Sequence, residues 1–370
     1  MVCTVGASGW SSKVAQVIGK KIVKTAIANS NGEGWWYYSP LMAAASRAIV
    51  DRIASVDFVL DVRDARIPLS SECHLLRMND SHSFNRFVVL NKRDLADRSM
   101  IKHWIRYFND QSYTCCDTDS HNKESVKQLL NLIQSRVKKT RSATNHGSPV
   151  TIMIVGIPNV GKSALANSLH VIGRISAEEK GKFKHSTVSP HPEETKDISS
   201  FKIASHPSIY VLDTPGILPN VIPNYTLCTN LALTGAISDG CTDVERLAAY
   251  FLAILNSSYQ YKEWMKFRGG LAQRPVQKRH RSDHTQDCVV NLVRGALYDA
   301  VSCFDGNLND ANDAKKLIKA QLTSLREILL LPDEIGDESC TKVASKVLNL
   351  YRIGRLGHFT LDYLDPPLQL

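Results

Sequence analysis

Short apolar runs punctuate the chain at Phe58-Val59-Leu60, Phe87-Val88-Val89-Leu90, Ile152-Met153-Ile154-Val155 and Ile209-Tyr210-Val211-Leu212. Each is too short for a helix, is rich in β-branched or aromatic residues and gives way to polar sequence, which predicts a buried strand ending there. Between them, apolar residues recur at helical spacing from Met42 to Val56 (Ile49, Val50, Ile53), from Met100 to Phe108, from Ser125 to Val137 and from Ala164 to Leu169. Strands that alternate with helices predict an α/β fold with a doubly wound, mostly parallel sheet. Ligands of such sheets bind beyond the carboxyl ends of the strands, so the polar stretches after the apolar runs are where chemistry belongs.

Beyond about Asn230 the strand pattern stops. Helical spacing takes over at Val244 to Leu255, Val289 to Val301, Leu317 to Leu329 and Val343 to Leu350. The expected organisation is an N-terminal extension over 1–34, a sheet domain over 35–230 and a helical, RNA-binding domain over 231–370. A chain of 370 residues accommodates two domains.

The strand at Ile152 to Val155 runs into Gly156-Ile157-Pro158-Asn159-Val160-Gly161-Lys162-Ser163 and then into the helical Ala164 to Leu169. This is Gly-x-x-x-x-Gly-Lys-Ser between a strand and a helix, the phosphate-binding loop in its required context. Backbone N–H groups of Val160, Gly161, Lys162, Ser163 and Ala164 converge at a helix N-terminus, Lys162 pairs with β/γ oxygens, and the Ser163 hydroxyl ligates Mg²⁺. The fourth run leads into Asp213-Thr214-Pro215-Gly216, where Asp213 is expected to hold Mg²⁺ and the Gly216 N–H to sense a γ-phosphate. Thr195, in Pro192-Glu193-Glu194-Thr195, is the candidate switch threonine on Mg²⁺, the alternative being a surface-loop residue.

The second run precedes Asn91-Lys92-Arg93-Asp94. The Asp94 carboxylate matches the N1–H and N2–H₂ donors of guanine, a pair adenine lacks; Asn91 tethers loops and Lys92 covers the base face. Ser120 and His121 are expected to offer backbone N–H groups near guanine O6. GTP is therefore favoured over ATP. The order of these motifs is unusual, because the base-reading sequence comes before the phosphate loop. A circularly permuted chain explains this at little cost, since domain termini often lie close together.

Composition refines this picture. The chain is 43% hydrophobic and 22% charged, with no apolar stretch near the length of a membrane span. A net charge of +9 favours a polyanionic partner. The nine cysteines include the adjacent Cys115 and Cys116 but no paired Cys-x-x-Cys motifs, so neither a zinc site nor a disulfide framework is expected. From Met1 to Gly32 there is no acidic residue, and Lys13, Lys20, Lys21 and Lys24 interleave with apolar residues. That is the pattern of a mitochondrial or plastid transit peptide, or of an amphipathic helix packed on the domain or on RNA. The basic run Lys266, Arg268, Arg274, Lys278, Arg279, His280 and Arg281, with Trp264 and Phe267 before it, reads as an RNA contact or a solvated linker. Trp35, Trp36, Tyr37 and Tyr38 form an aromatic cluster better suited to core anchoring than to base stacking.

With these motifs in this order, the sequence resembles the circularly permuted ribosome biogenesis GTPase A family, which includes the mitochondrial ribosome-associated GTPases and the plant short integuments type. The resemblance runs from Trp36 onward and includes Asp61-Val62-Arg63-Asp64-Ala65-Arg66-Ile67-Pro68, Ser189 to Ile198, Leu231 to Ile237 and Tyr351 to Leu361. It implies a circularly permuted P-loop GTPase domain whose GTP hydrolysis, with Mg²⁺, serves late maturation of the large ribosomal subunit, with the helical domain on ribosomal RNA. It also implies a mitochondrial, matrix-side location, with plastid or cytoplasm as alternatives, and a peripheral association with the inner mitochondrial membrane. Asn159 matches a residue that helps bind K⁺ in relatives. Two positions depart from the family. Ser39-Pro40-Leu41-Met42 stands where relatives carry Pro-Gly-His-Met, whose histidine is implicated in water activation, and Glu193 stands where relatives usually have glycine. Neither Leu41 nor Ile217, which follows Gly216, can orient water. A GTP-gated rRNA-binding module with weak or absent hydrolysis is therefore the alternative function. A signalling GTPase without an RNA partner is disfavoured by the positive charge and the helical domain.

Overall fold

The structure, a computed structural model, describes residues 39–78, 85–144, 149–178, 198–205, 207–220, 222, 224–258, 260–268, 283–307, 310–330 and 338–364. It forms two compact units. One holds the described residues of 39–220 together with 358–364, the other those of 222–357. The dividing point is thus 221/222 rather than 230. Residues 358–364 belong with the sheet, whereas the sequence pattern assigned everything from 231 to the helical domain.

The sheet unit opens with helix α1 (Pro40–Ile53). Ser39 caps it by accepting a hydrogen bond from the Met42 N–H, and Pro40 occupies the first turn, where its missing N–H costs nothing. Ala45, Ile49 and Ile53 face inward at helical spacing and pack with Val59, Leu76, Met153, Val155 and Ile217. Six strands follow: β1 (Phe58–Asp64), β2 (Asn85–Asn91), β3 (Thr114–Asp117), β4 (Val150–Val155), β5 (Ser199–Ser205) and β6 (Ser208–Asp213). Their order across the sheet is β3-β2-β1-β4-β6-β5. All neighbours are parallel except the β5–β6 edge pair. The strands are interleaved with α2 (His74–Met78), α3 (Arg98–Asp110), α4 (Lys123–Thr144) and α5 (Lys162–Glu178). Chain order runs outward from β1 through β2 to β3, then restarts at β4 beside β1, goes to the far edge at β5 and returns to β6, which lies between β4 and β5. The reversal falls between β1 and β4, which is where a doubly wound sheet opens a crevice for ligands.

β1 does not stop at Leu60 as its apolar run suggests; it continues through Asp61, Val62, Arg63 and Asp64, all buried. Charges can enter a sheet interior only when paired, and here they are. Arg63 Nε donates to Asp61 (2.8 Å), its amino groups donate to Pro68 O and Glu72, and Arg86 also reaches Asp61 and Glu72. Two guanidiniums thus face two carboxylates, with Arg63 lying over the Phe108 ring and Arg86 over that of Tyr113.

The second unit is helical, with α6 (Tyr225–Leu233), α7 (Val244–Asn256), α8 (Gln260–Trp264), α9 (Asp287–Ser302), α10 (Ala311–Leu329) and α11 (Ser339–Arg352). Gln321, fully buried, is satisfied by Asn256 and the Tyr261 hydroxyl. Arg352 closes the end of α6 by donating to the carbonyls of Ala232 and Leu233 while it pairs with Asp239. Trp264 is buried and Arg294 stacks over it, so this member of the aromatic pair preceding the basic run is a core residue. Of that run Lys266 and Arg268 are described; the remainder, like 1–34 and the aromatic cluster 35–38, lies outside the described residues. Among the described residues no helix is long and apolar enough to cross a membrane.

Candidate functional site

The loops beyond β1, β2, β3, β4 and β6 converge at the crevice, and one side chain links three of them. Asn91, the last residue of β2, is buried; its Nδ2 donates to Val160 O in the Gly156–Ser163 loop (2.8 Å). Its Oδ1 accepts from both the backbone N–H and the hydroxyl of Ser120, in the loop after β3 (3.2 and 2.7 Å). Gly161 has a φ of +92°, and a Cβ there would lie 2.4 Å from Asn91 Nδ2, so the loop can approach this amide only at a glycine. The sequence pattern thus dictates both halves of the contact, an amide that can donate and accept and a residue with no side chain opposite it. Ser168, on α5, donates to Ser120 O and ties the post-β3 loop to the helix that leaves the phosphate loop.

Lys162, at the start of α5, is buried and donates to Ile157 O across its own loop (2.9 Å). Burial holds its ammonium down to about 8, with Asp213 opposing the shift. Asp213, buried at the end of β6, is therefore close enough to Lys162 to act on it electrostatically. Beyond it Thr214 donates to Ile154 O of β4, and the Ile217 N–H donates to Gly156 O. A Cβ on Gly216 would stand 2.6 Å from Pro158 Cα, so this segment lies directly against the phosphate loop. Ile217 turns its side chain into the core, 1% exposed. The Ser163 hydroxyl and the Asp213 carboxylate are hard oxygen donors of the kind Mg²⁺ takes together with substrate phosphates.

On the other flank Lys92, with φ +59°, extends its ammonium to Asn159 O and to Asp64 (3.2 Å). Asp64 accepts two further hydrogen bonds from the Arg66 guanidinium, at 2.9 and 2.7 Å. Burial pushes the Asp64 carboxyl up, but Arg66 and Lys92 overcome this and hold it well below the usual carboxylate range. Asp94 is exposed beside these groups, and burial of part of its surface together with Asp119 raises its carboxyl. The His121 N–H donates to Asp119 Oδ1 and the Ser120 N–H to Asn91. Both backbone donors expected for guanine O6 are therefore engaged within the protein, and a purine carbonyl would have to share them.

The structure thus brings together Asn91, Lys92, Asp94, Ser120, His121, Asn159, Val160, Gly161, Lys162, Ser163, Ala164, Asp213 and Gly216 around one crevice. Thr195 and Glu193 lie outside the described residues. Leu41 sits on the first turn of α1, 66% exposed. The ion pair of Asp64 and Arg66 beneath Lys92 lies in the Asp-Ala-Arg stretch that carries the family resemblance, but the sequence reading gave it no role in the site. Its available signal was the charge in a strand that otherwise reads as buried, because buried charges require partners.

A family described as 50S ribosome-binding GTPase matches residues 151–261. The DAR GTPase 2, mitochondrial, of Arabidopsis thaliana is 49% identical over 365 residues, covering 95% of this chain and 96% of its own. Short integuments 2, mitochondrial, of the same plant is 38% identical, covering 87% of each. Ribosome biogenesis GTPase A of Bacillus cereus is 30% identical, over 63% of this chain and 75% of its own.

Proposed function

Because this chain belongs to the circularly permuted ribosome biogenesis GTPase A family, we propose that it hydrolyses GTP to drive late assembly of the large ribosomal subunit in the mitochondrial matrix. The observation that carries the nucleotide assignment is Asn91, whose amide joins the base-reading loop, the phosphate loop and the post-β3 loop into one cradle. In that cradle Asp94 reads the N1–H and N2–H₂ edge of guanine and Lys92 covers the base, with Ser120 and His121 beside O6. Backbone N–H groups from Val160 to Ala164 hold the phosphates, and Lys162 leaves Ile157 O to meet the β/γ oxygens. Ser163 and Asp213, with the switch threonine Thr195 from outside the described residues, would hold Mg²⁺, and the ion would supply positive charge against the phosphoryl oxygens. The Gly216 N–H reports the γ-phosphate, and Asn159 supplies a ligand for K⁺.

Catalysis in this cradle is electrostatic positioning. Among the described residues, neither expected position supplies a water-orienting side chain: Ile217 faces the core and Leu41 is an exposed aliphatic residue. This favours a second reading, in which the protein occupies an assembly intermediate as a GTP-gated rRNA binder and turns over only when the ribosome or K⁺ completes the site.

GTP turnover in K⁺ and in Na⁺ buffer, with and without mitochondrial large subunits, separates the two. Turnover stimulated by subunits in the natural protein supports the GTPase reading. Tight GTP binding without turnover, recovered by Leu41→His, supports the gated binder. Failure to prefer GTP over ATP would overturn both. The matrix location rests on the mitochondrial relatives and the acid-poor start of the chain, and is tested by whether residues 1–34 carry a fluorescent protein into mitochondria.

A further inference from the structure

The last described residues of the chain return to the sheet unit and grip the loop that follows β1. The Asp362 carboxylate, 7% exposed, accepts from the backbone N–H groups of Leu69 (2.7 Å) and Ser70 (2.8 Å) through Oδ2 and from the Ser70 hydroxyl (2.5 Å) through Oδ1. Its neighbour Leu361 donates its N–H to Arg66 O (2.7 Å). Leu364 packs against the cluster that holds Ala65, Leu90 and Ala96.

The gripped loop is not remote from the candidate nucleotide site. Ser71 Oγ donates to Ile67 O and accepts the N–H of Asp64, and the Ala65 N–H donates to Asn91 O. Asp64 and Arg66 then form the buried pair on which Lys92 rests before it reaches Asn159. Charge-assisted hydrogen bonds from a carboxylate to backbone N–H groups are among the stronger ones available to a loop. Along this chain of contacts Asp362 fixes the 66–71 turn, the turn fixes Asp64, and Asp64 fixes the ammonium that spans the base and phosphate loops.

We propose that Asp362 is a positioning residue for guanine nucleotide binding: the C-terminal segment 358–364 is a strap that holds the Asp64–Arg66 pair, and through it Lys92, in place for the base. The proposal rests on the nucleotide-binding reading given above. It implies that the strap acts on the base side of the site more than on the phosphate side, because its contacts reach the phosphate loop only at Asn159 O, through Lys92, and do not run through Lys162, Ser163 or Asp213.

The test compares full-length protein with Asp362→Ala and Asp362→Asn for affinity toward GDP, GTP and inorganic tripolyphosphate, each with Mg²⁺, alongside thermal unfolding. GDP and GTP affinity should fall together by about tenfold in Asp362→Ala, which corresponds to about 1.4 kcal/mol, while tripolyphosphate affinity stays unchanged. Asp362→Asn, which keeps an acceptor oxygen for the loop, should recover much of the loss. Unchanged GDP affinity in a folded Asp362→Ala protein would overturn the proposal, as would an equal loss for tripolyphosphate, because the strap would then be general scaffolding. Should Asp362→Ala fail to fold, Ser70→Ala, which removes one of the three bonds, must still weaken GDP selectively or the proposal falls. Absence of GDP binding by the natural protein would instead refute the nucleotide assignment itself.

Discussion

Replacing Asn91 by alanine is the sharpest perturbation of the cradle, because it removes three hydrogen bonds at once from a residue that is 1% exposed. Each neutral bond contributes about 1 kcal/mol net, and a partner left buried without one costs about 1–3 kcal/mol. The Ser120 hydroxyl can rotate toward another acceptor, but Val160 O and the Ser120 N–H cannot leave their loops. The sum is therefore about 3 kcal/mol, which at roughly 2–4 °C per kcal/mol for a unit of this size lowers its melting temperature by about 6–12 °C. Nucleotide affinity should fall further than stability, because the two loops freed from each other are the ones that bracket base and phosphate.

Differential scanning calorimetry, which resolves the two units if they melt separately, and titration with a fluorescent GDP analogue measure both quantities. Asn91→Asp supplies the internal control. A carboxylate still accepts from Ser120 but turns an acceptor toward Val160 O, so it should do no better than alanine despite its near-identical shape. A fall of less than about 2 °C, with GDP affinity intact, would show that the three loops are held by something other than this amide and would refute the reasoning.

Gly216→Ala places a methyl 2.6 Å from Pro158 Cα, a backbone atom that cannot step aside, so GTP affinity should drop by tenfold or more, of order 1.4 kcal/mol, on isothermal titration. Asp94→Asn exchanges a carboxylate oxygen for an amide donor, which should abolish guanine preference and allow xanthosine nucleotides, read by competition binding. For Lys162 the folded ammonium titrates near 8 and the unfolded one near 10.5. Phosphate needs it protonated, so GTP affinity should be level below pH 8 and decline above it, by at most tenfold per pH unit. Stability of the unliganded fold should move the other way. Between pH 8 and 10.5 the unfolded chain binds the extra proton, so this group makes the fold more stable as pH rises. Lys162→Arg should remove the decline in binding, and a decline that persists in that variant would assign it elsewhere.

What could be read from the sequence follows from how far each signal reaches. The inner strands β1, β2 and β4 carry contiguous apolar runs because a parallel sheet buries both faces, and β6 carries one although only alternate residues of it are buried. The edges do not: β3 is four residues long, and β5 leaves Ser199, Ser200 and Lys202 exposed around a bulge, so neither stands out from a loop. The cradle was legible because its chemistry is local. A glycine at Gly161 and a lysine at Lys162 are demanded by a turn or a ligand within a few residues, and Asn91 is legible as part of Asn-Lys-x-Asp although its own partners, Ser120 and Val160, lie 29 and 69 residues away. The supports of the cradle are legible only in part. Arg63, Asp64 and Arg66 announce themselves as charges in a buried strand and so call for partners, but nothing local says that Lys92 is one of them. Asp362 gives no signal of that kind. An aspartate near a chain end is indistinguishable from a solvated one until the Leu69 and Ser70 N–H groups are set beside it, 293 and 292 residues away in sequence. Long-range polar contacts of this sort leave no periodicity, because their geometry is decided by the finished sheet and not by the neighbours of either partner.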